Sequence, residues 1–288
     1  MCWVHQGKIM AKKLPEIRKL LGAALQQSKK KKCGVLLSAG VDSHSVLHAC
    51  LDVGIKPIVI SFTREDRESR DFRSAKDAAQ RLGLEFVPVV LKSDVDTLKK
   101  YVVHAAKFGV RGKAAFECLY PMFCVARLLK SKGIKLDFLF SGYGADAFFA
   151  LSKKGCMHYR DRMAEYAIES HTRYVKKGSQ LDILKRYFKE VAGLNYTSPW
   201  CDTSILKAFT STVFSHDDLN KPKQKWPVRR DFKEEFSKAK IYNHTNYQLG
   251  DSGISEMFLQ LLEDSDFNSA GFKSTTGVFN AVVKSVQL

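Results

Sequence analysis

Two short turns carry residue types that can hold phosphate. The first, Ser38-Ala39-Gly40-Val41-Asp42-Ser43, follows the apolar run Cys33-Gly34-Val35-Leu36-Leu37 and precedes a helical pattern starting at Ser45-Val46-Leu47. A glycine-containing turn between strand and helix gathers backbone N–H groups at the positive end of the helix dipole, which makes an anion cradle. Ser38 and Ser43 add hydroxyl donors. The GxxxxGK[ST] spacing of a Walker A loop, with its lysine, is absent. Asp42 would repel phosphate in such a cradle unless a cation stood between them. Mg²⁺ is a hard cation that takes carboxylate and phosphate oxygens together. The second turn, Ser141-Gly142-Tyr143-Gly144-Ala145-Asp146, follows Leu136-Asp137-Phe138-Leu139-Phe140 and repeats this logic. Its glycines let backbone approach a ligand closely. Asp146 is a second candidate carboxylate for the same metal. The plainer reading of the first turn is an ordinary turn, with Asp42 capping the helix.

Positioning these turns requires strands before them. Apolar runs at 33–37, 56–62, 86–91 and 136–140 alternate with helical patterns at 45–51, 71–82, about 94–107 and about 117–131. Alternation of this kind predicts an α/β fold with a doubly wound parallel sheet. Such sheets bind ligands beyond the carboxyl ends of their strands, so both turns would share one rim. A helix over 9–28 precedes the first strand. From about 151 the pattern turns helical, near 160–175, 180–192, 203–214 and 254–263, without convincing strands. The expected organisation is an N-terminal helix in 1–30, an α/β domain over 31–150 and a mostly helical, substrate-side half over 151–288. The Ser/Thr/Gly-rich stretch 265–288 reads as loosely held.

Composition bounds the function. The chain has 288 residues, of which 45% are hydrophobic and 27% charged, ordinary values that exclude wholesale disorder. No apolar stretch approaches the roughly 18 residues of a membrane span, and the first residues lack the layout of a signal peptide. A cytoplasmic protein without membrane partners is expected. The seven cysteines are scattered with no CxxC pair, so reduced thiols are expected rather than a zinc site or disulfides. Lys+Arg exceed Asp+Glu by 47 to 30, a formal charge of +17, which attracts polyanions. Lys29–Lys32 form one basic zone. Residues 221–240 form another, in which basic residues interleave with Trp226, Phe232 and Phe236. Such a mixture can hold phosphates by charge and a base by stacking. A nucleic-acid or nucleotide substrate is therefore a second expectation, against the plain reading of a solvated face.

At the two turns the sequence resembles a family. Residues 38–43 are similar to the SGGxDS pyrophosphate loop of the PP-loop ATP pyrophosphatases, and residues 141–146 to the SGxGxD motif of their asparagine synthetase group. Ser69-Arg70-Asp71 and the segment from Pro121-Met122 to Lys135 also fit. The resemblance spans about 30–150 and is weaker over about 195–260. It implies an adenine nucleotide alpha-hydrolase-like fold that binds ATP and Mg²⁺. A substrate carboxylate would attack the α-phosphate, giving an acyl-adenylate and pyrophosphate. An amine or ammonia would then displace AMP and form an amide or other C–N bond. By residue, the resemblance places pyrophosphate on Ser38, Gly40 and Ser43, with Ala39 and Val41 in the same cofactor-binding loop. It places Mg²⁺ on Asp42 and Asp146, and adenine against Leu36, Ser61, Phe62 and Gly142.

The sequence departs from the family pattern at four points. Ala39 stands where glycine is usual, so that either the loop accommodates a methyl or it is slightly displaced. Ala147 replaces an acid common after the metal aspartate. Tyr143 stands where asparagine synthetases carry Glu. Beta-lactam synthetases carry Tyr there, paired with a Glu to deprotonate the attacking amine. The helical half offers Glu169, and also Glu165, for that pairing; the plain alternative is that Tyr143 stacks in the pocket. Finally, only 37 residues precede Ser38, too few for the family's glutaminase domain, so ammonia or an amine is expected from elsewhere, such as a separate supplying protein. Cys2 then has no glutaminase role. The family also uses a late lysine before a glycine-rich turn; Lys240, preceding Leu249-Gly250-Asp251-Ser252-Gly253, is the expected counterpart, with Lys238 beside it. A non-catalytic nucleotide- or nucleic-acid-binding module is the remaining alternative.

Overall fold

The computed structural model describes residues 13–242 and 252–287. The first helix is α1, Ile17–Leu25, which passes into a 3₁₀ turn at Gln26–Ser28. Residues 9–12 of the expected helix lie outside the described residues. From residue 13 on, helix begins only beyond Pro15, which lacks an N–H and is fixed in φ. Then follow β1 (Cys33–Leu36), α2 (Val41–Asp52), β2 (Ile58–Arg64), α3 (Arg70–Arg81) and β3 (Phe86–Leu91). Next come α4 (Val95–Lys107), α5 (Lys113–Ser131) and β4 (Phe138–Phe140). The order continues with α6 (Lys153–His158), α7 (Met163–Val175), α8 (Gln180–Ala192) and β5 (Asn195–Thr197). The remaining helices are α9 (Thr203–Thr210), α10 (His216–Asn220), α11 (Trp226–Asp231), α12 (Lys233–Ser237), α13 (Ile254–Met257) and α14 (Thr275–Ser285).

All strand pairs are parallel, in the order β3-β2-β1-β4-β5. β1 lies at the centre, with Val35 in register with Val59 on one side and Phe140 on the other. β1 and β4 are therefore neighbours, and the turns that leave their carboxyl ends lie side by side. Alternating side chains divide the strands between two cores. Leu36, Ile58, Ile60 and Leu139 face α4, α5, α8 and α14. Val35, Leu37, Val59 and Phe140 face α1, α2 and α3 together with Trp200, Phe209 and Val228. Both cores draw on residues from either side of position 150. Side chains cap the helices that frame the rim. Ser69 accepts from Phe72 N–H at the start of α3 (3.1 Å), and Asp94 from Thr97 N–H at the start of α4 (2.8 Å).

Two expectations for the second half are corrected. The helical region contributes a strand, β5, which extends the sheet beside β4 with Leu139 in register with Tyr196. Asn195-Tyr196-Thr197 has a single buried apolar residue, too little for periodicity to reveal. The stretch 265–288 is also anchored rather than loose. Phe279 of α14 is fully buried and stacks on Phe116 of α5, centroids 4.7 Å apart. The outer edge strand β3 carries a proline, Pro88, in register with Ser61. No helix among the described residues is long and apolar enough to cross a membrane. The six described cysteines are free thiols, and Cys2 lies outside the described residues.

Candidate active site

The first turn is tied together by its two serines. Ser38 N–H donates to Ser43 Oγ (3.1 Å), the two hydroxyls share a hydrogen bond (3.0 Å), and Gly40 N–H donates to Ser38 Oγ (3.2 Å). Ala39 is pinned from both sides. Its N–H donates to Asp71 Oδ1 on α3 (2.9 Å), and its carbonyl accepts from Tyr242 N–H (3.0 Å). The residue itself is buried, 1% exposed. The alanine is thus absorbed by packing, and its N–H is committed to Asp71 rather than offered to phosphate. Helix α2 starts at Val41 behind an extended Gly40. The N–H groups of a helix's first turn have no intrahelical acceptor, and α2 aims this end at the rim.

The second turn sits directly on the first. A Cβ on Gly142 would lie 2.7 Å from Ser43 N and 2.8 Å from the Asp42 carbonyl carbon. Only hydrogen fits there, so glycine is required by close approach of two backbones. Gly144 has φ +90°, and a Cβ on it would lie 2.6 Å from Cys201 Sγ. Ser198, just beyond β5, lies within hydrogen-bonding reach of the Ser141 and Tyr143 carbonyls (2.9 and 2.6 Å). Ser141 Oγ bonds Tyr196 OH (2.8 Å). Asp146 follows in the 3₁₀ turn Ala145–Phe148, where Ala147 is buried in the core. An acid at position 147 would be desolvated there.

Asp42 and Asp146 converge on one cation, the ammonium of Lys225. Its Nζ lies 2.5 Å from Asp42 Oδ2 and 2.6 Å from Asp146 Oδ1. The Lys225 side chain is only 3% exposed. Burial pushes its pKa down, but the two carboxylates more than offset this, so the net shift is upward and the lysine stays charged. Its backbone adopts a left-handed conformation, φ +58°, a strained geometry that surrounding contacts must hold. Asn220 supplies them: its Oδ1 accepts from Lys225 N–H (3.1 Å) and its Nδ2 donates to the Phe149 carbonyl (2.9 Å). Trp200 Nε1 donates to the Asp42 carbonyl (3.3 Å).

The position between the carboxylates therefore suits positive charge, which is what a Mg²⁺ site requires. Two carboxylates from adjacent strand ends, completed by phosphate oxygens and water, form a donor set that Mg²⁺ accepts. Among the described residues, no group of three or more His, Cys, Asp and Glu could hold a metal by itself. Leu36 pairs with Ile60, so Ser61 and Phe62 lie just beyond it on the same rim, with Ser61 buried and Phe62 half-buried.

The structure separates other expected partners. Tyr143 packs edge-on against Tyr174, centroids 5.0 Å apart, and burial pushes its hydroxyl pKa well up. Glu169 accepts instead from Tyr159 OH (2.6 Å), on the exposed side of α7, and Glu165 pairs with Arg162 (3.1 Å). The Tyr143–Glu169 pairing is thus corrected: the glutamate serves another tyrosine. Lys240 pairs with Asp77 of α3 (2.9 Å) with its side chain 71% exposed. Lys225 is the lysine at the carboxylates. Residues 249–251 of the glycine-rich turn lie outside the described residues. Of the aromatics of 221–240, Phe232 is fully buried and Phe236 packs on the core, whereas Trp226 is half-buried.

Sequence reading gave Lys225, Asn220 and Asp71 no role. Lysines alternate at 221, 223 and 225, and nothing in their spacing singles one out. The available clue was the apolar Trp226-Pro227-Val228 immediately after the third. Pro227 and Val228 are buried in α11, which carries Lys225 inward.

Residues 16–241 match the Asparagine synthase family. The chain belongs to that family. It is a family of ATP-using enzymes, and both turns fall within the matched residues. An asparagine synthetase (glutamine-hydrolysing) of Asparagus officinalis is 27% identical over 219 residues, covering 70% of this chain and 35% of that protein. A 7-cyano-7-deazaguanine synthase of Chromohalobacter salexigens is 42% identical over 53 residues, 18% of this chain and 21% of that protein. The chain thus spans about a third or less of the length of these curated relatives. Two solved structures show lower likeness. A U34-tRNA thiolase from Methanococcus maripaludis, solved with its [4Fe-4S] cluster, has a TM-score of 0.38 at 12% identity, over 94% of this chain and 78% of that one. A predicted subunit of tRNA methyltransferase from Methanocaldococcus jannaschii has a TM-score of 0.30 at 15% identity, over 71% and 87%.

Proposed function

We propose that this protein is an AMP-forming, ATP-dependent ligase of asparagine synthetase type. It adenylates a carboxylate or similar oxygen and passes the acyl group to an amine or ammonia. One observation supports the reading above the rest: the carboxylates of Asp42 and Asp146, from adjacent strand ends, meet at a single cation position beside the amino end of α2. ATP would lie across the rim with its β- and γ-phosphates toward Ser38, Gly40 and Ser43. A Mg²⁺ ion held by the two aspartates would offset charge developing on the departing pyrophosphate. Ser61 and Phe62 would line the adenine pocket. Lys225 would supply a further positive charge near the phosphates. Tyr143, held by Tyr174, would shape the acyl side of the pocket.

A second reading, adenylation and modification of a nucleic-acid base, draws on the formal charge of +17. It uses the same ATP site with a different oxygen nucleophile. The two part in one assay. The protein is incubated with ATP and Mg²⁺, with small metabolites in one tube and nucleic acids in the other. AMP and pyrophosphate in the metabolite tube support the ligase. The same products with nucleic acids alone, weakening steeply with salt as phosphate contacts require, transfer the reading to base modification. ADP in either tube overturns both.

A further inference from the structure

Lys225 does more than neutralise its neighbours, because its Nζ stands at the point where the two aspartates converge. We propose that Lys225 is the resident counter-ion of the Asp42–Asp146 pair, that it excludes free divalent metal from the nucleotide-free protein, and that metal enters only together with the polyphosphate, which takes over the ammonium. The inference rests on the reading of this rim as an ATP site.

Three observations carry it. First, the contacts of 2.5 and 2.6 Å leave no room for a second cation between the same oxygens. Mg²⁺ demands near-octahedral oxygen ligation and dehydrates reluctantly. It cannot share the position with an ammonium. Second, charge opposes entry of free metal. Two carboxylates and one lysine carry one net negative charge, which is a poor attractant for a divalent ion beside a buried ammonium. A triphosphate brings several more negative charges and removes that obstacle. Third, the lysine is built to move only at its tip. Asn220 clasps its backbone to the Phe149 carbonyl, and the left-handed φ fixes where the stem begins. The stem runs beside the Phe149 ring, with Nζ 5.8 Å from the centroid. A lysine tip is a flexible point charge with three donors and can pass from carboxylate to phosphate by rotamer change. The backbone clasp would keep it within reach of both.

The test is Mn²⁺ binding to the full chain, read from the spectrum of protein-bound Mn²⁺, with and without a non-hydrolysable ATP analogue. Wild type alone is expected to bind at least tenfold more weakly than wild type with analogue. Lys225→Met keeps the stem and removes the charge; it should bind Mn²⁺ at least tenfold more tightly than wild type without nucleotide. Adding Asp42→Asn should abolish that gain, whereas Lys225→Arg should leave metal excluded. Wild type that binds Mn²⁺ through Asp42 as tightly alone as with analogue overturns the proposal. So does a gain in Lys225→Met that survives Asp42→Asn. Should Lys225→Met fail to fold, the wild-type comparison decides alone. An analogue that does not bind sinks the ATP-site reading, while Mn²⁺ binding by wild type and Lys225→Met without nucleotide still reads the exclusion by itself.

Discussion

The two glycine turns share residue types and differ in construction. The first is bonded largely within itself: Ser38, Gly40 and Ser43 satisfy one another, with Ala39 tied outward to Asp71 and Tyr242, and the chain runs straight into the 12-residue α2. The second is held from outside by Ser198, Tyr196 and Cys201, and runs into a 3₁₀ turn of four residues. On the proposed reading, the first turn is the anion cradle. The other is a joint at which the helical half reaches the sheet and delivers its aspartate. A repeated motif therefore does not imply repeated mechanics, and substitutions should tell the two apart.

The largest effect should come at the carboxylates. Asp42→Asn is expected to lower pyrophosphate release from ATP by about 10²–10³-fold, the usual loss when one preorganised charge partner is removed. Asp146→Asn should do the same, since both meet Lys225. Retained release in either variant breaks the assignment of a shared cation. Lys240→Ala, by contrast, removes only an exposed pair with Asp77 and should leave release within about twofold, as exposed pairs contribute little.

Next come the glycines. Gly142→Ala pushes a methyl into the backbone of α2 and should destabilise by about 1–3 kcal/mol in urea unfolding. Gly40→Ala meets only Ser38 Oγ, at 3.4 Å, and has φ −87°, so it should cost less than about 1 kcal/mol. Equal losses would dissolve the contrast between the turns.

A pH effect of similar size should arise beneath the first turn. His44 and His48 on α2 are buried and face each other at 6.2 Å. Burial, aided at His44 by its histidine neighbour, lowers their pKa values to about 3 and about 4. Both are neutral in the fold, whereas the unfolded chain takes up protons near pH 6.5. Stability should be full above about pH 6.5 and fall as pH drops toward 4, by roughly 1 kcal/mol per histidine for the first unit. His48→Gln should flatten that slope; an unchanged acid limb would place the titration elsewhere. A modest effect is expected at Tyr143→Phe, which keeps the ring on Tyr174 and should lower turnover by less than about tenfold. A larger loss, with a changed alkaline limb, would make the hydroxyl a working base.

Most of the sheet was legible because its strands are apolar runs that end at punctuated turns. The two motifs marked the rim for the same reason, since tight turns at strand ends demand Gly, Ser and Asp. β5 was hidden because Asn195-Tyr196-Thr197, unlike Phe138-Leu139-Phe140, is not an apolar run. α14 was hidden because Phe279 and Val278 anchor a segment whose composition otherwise resembles a tail. Lys225 was hidden for a deeper reason. Its role depends on a chain reversal clasped by Asn220, and nothing local distinguishes it from Lys221 or Lys223. Glu169 and Lys240 failed in the opposite way: the residue types suited the chemistry, but Tyr159 at the end of α6 and Asp77 of α3 offered nearer partners.

The strand order also bears on behaviour in concentrated solution. Ending the sheet in β3 and β5 leaves two borders where a foreign strand could add. One is only three residues long, and the other carries Pro88, which cannot donate a backbone hydrogen bond. Fibrillar growth by edge-to-edge pairing thus finds little template on either border of this protein.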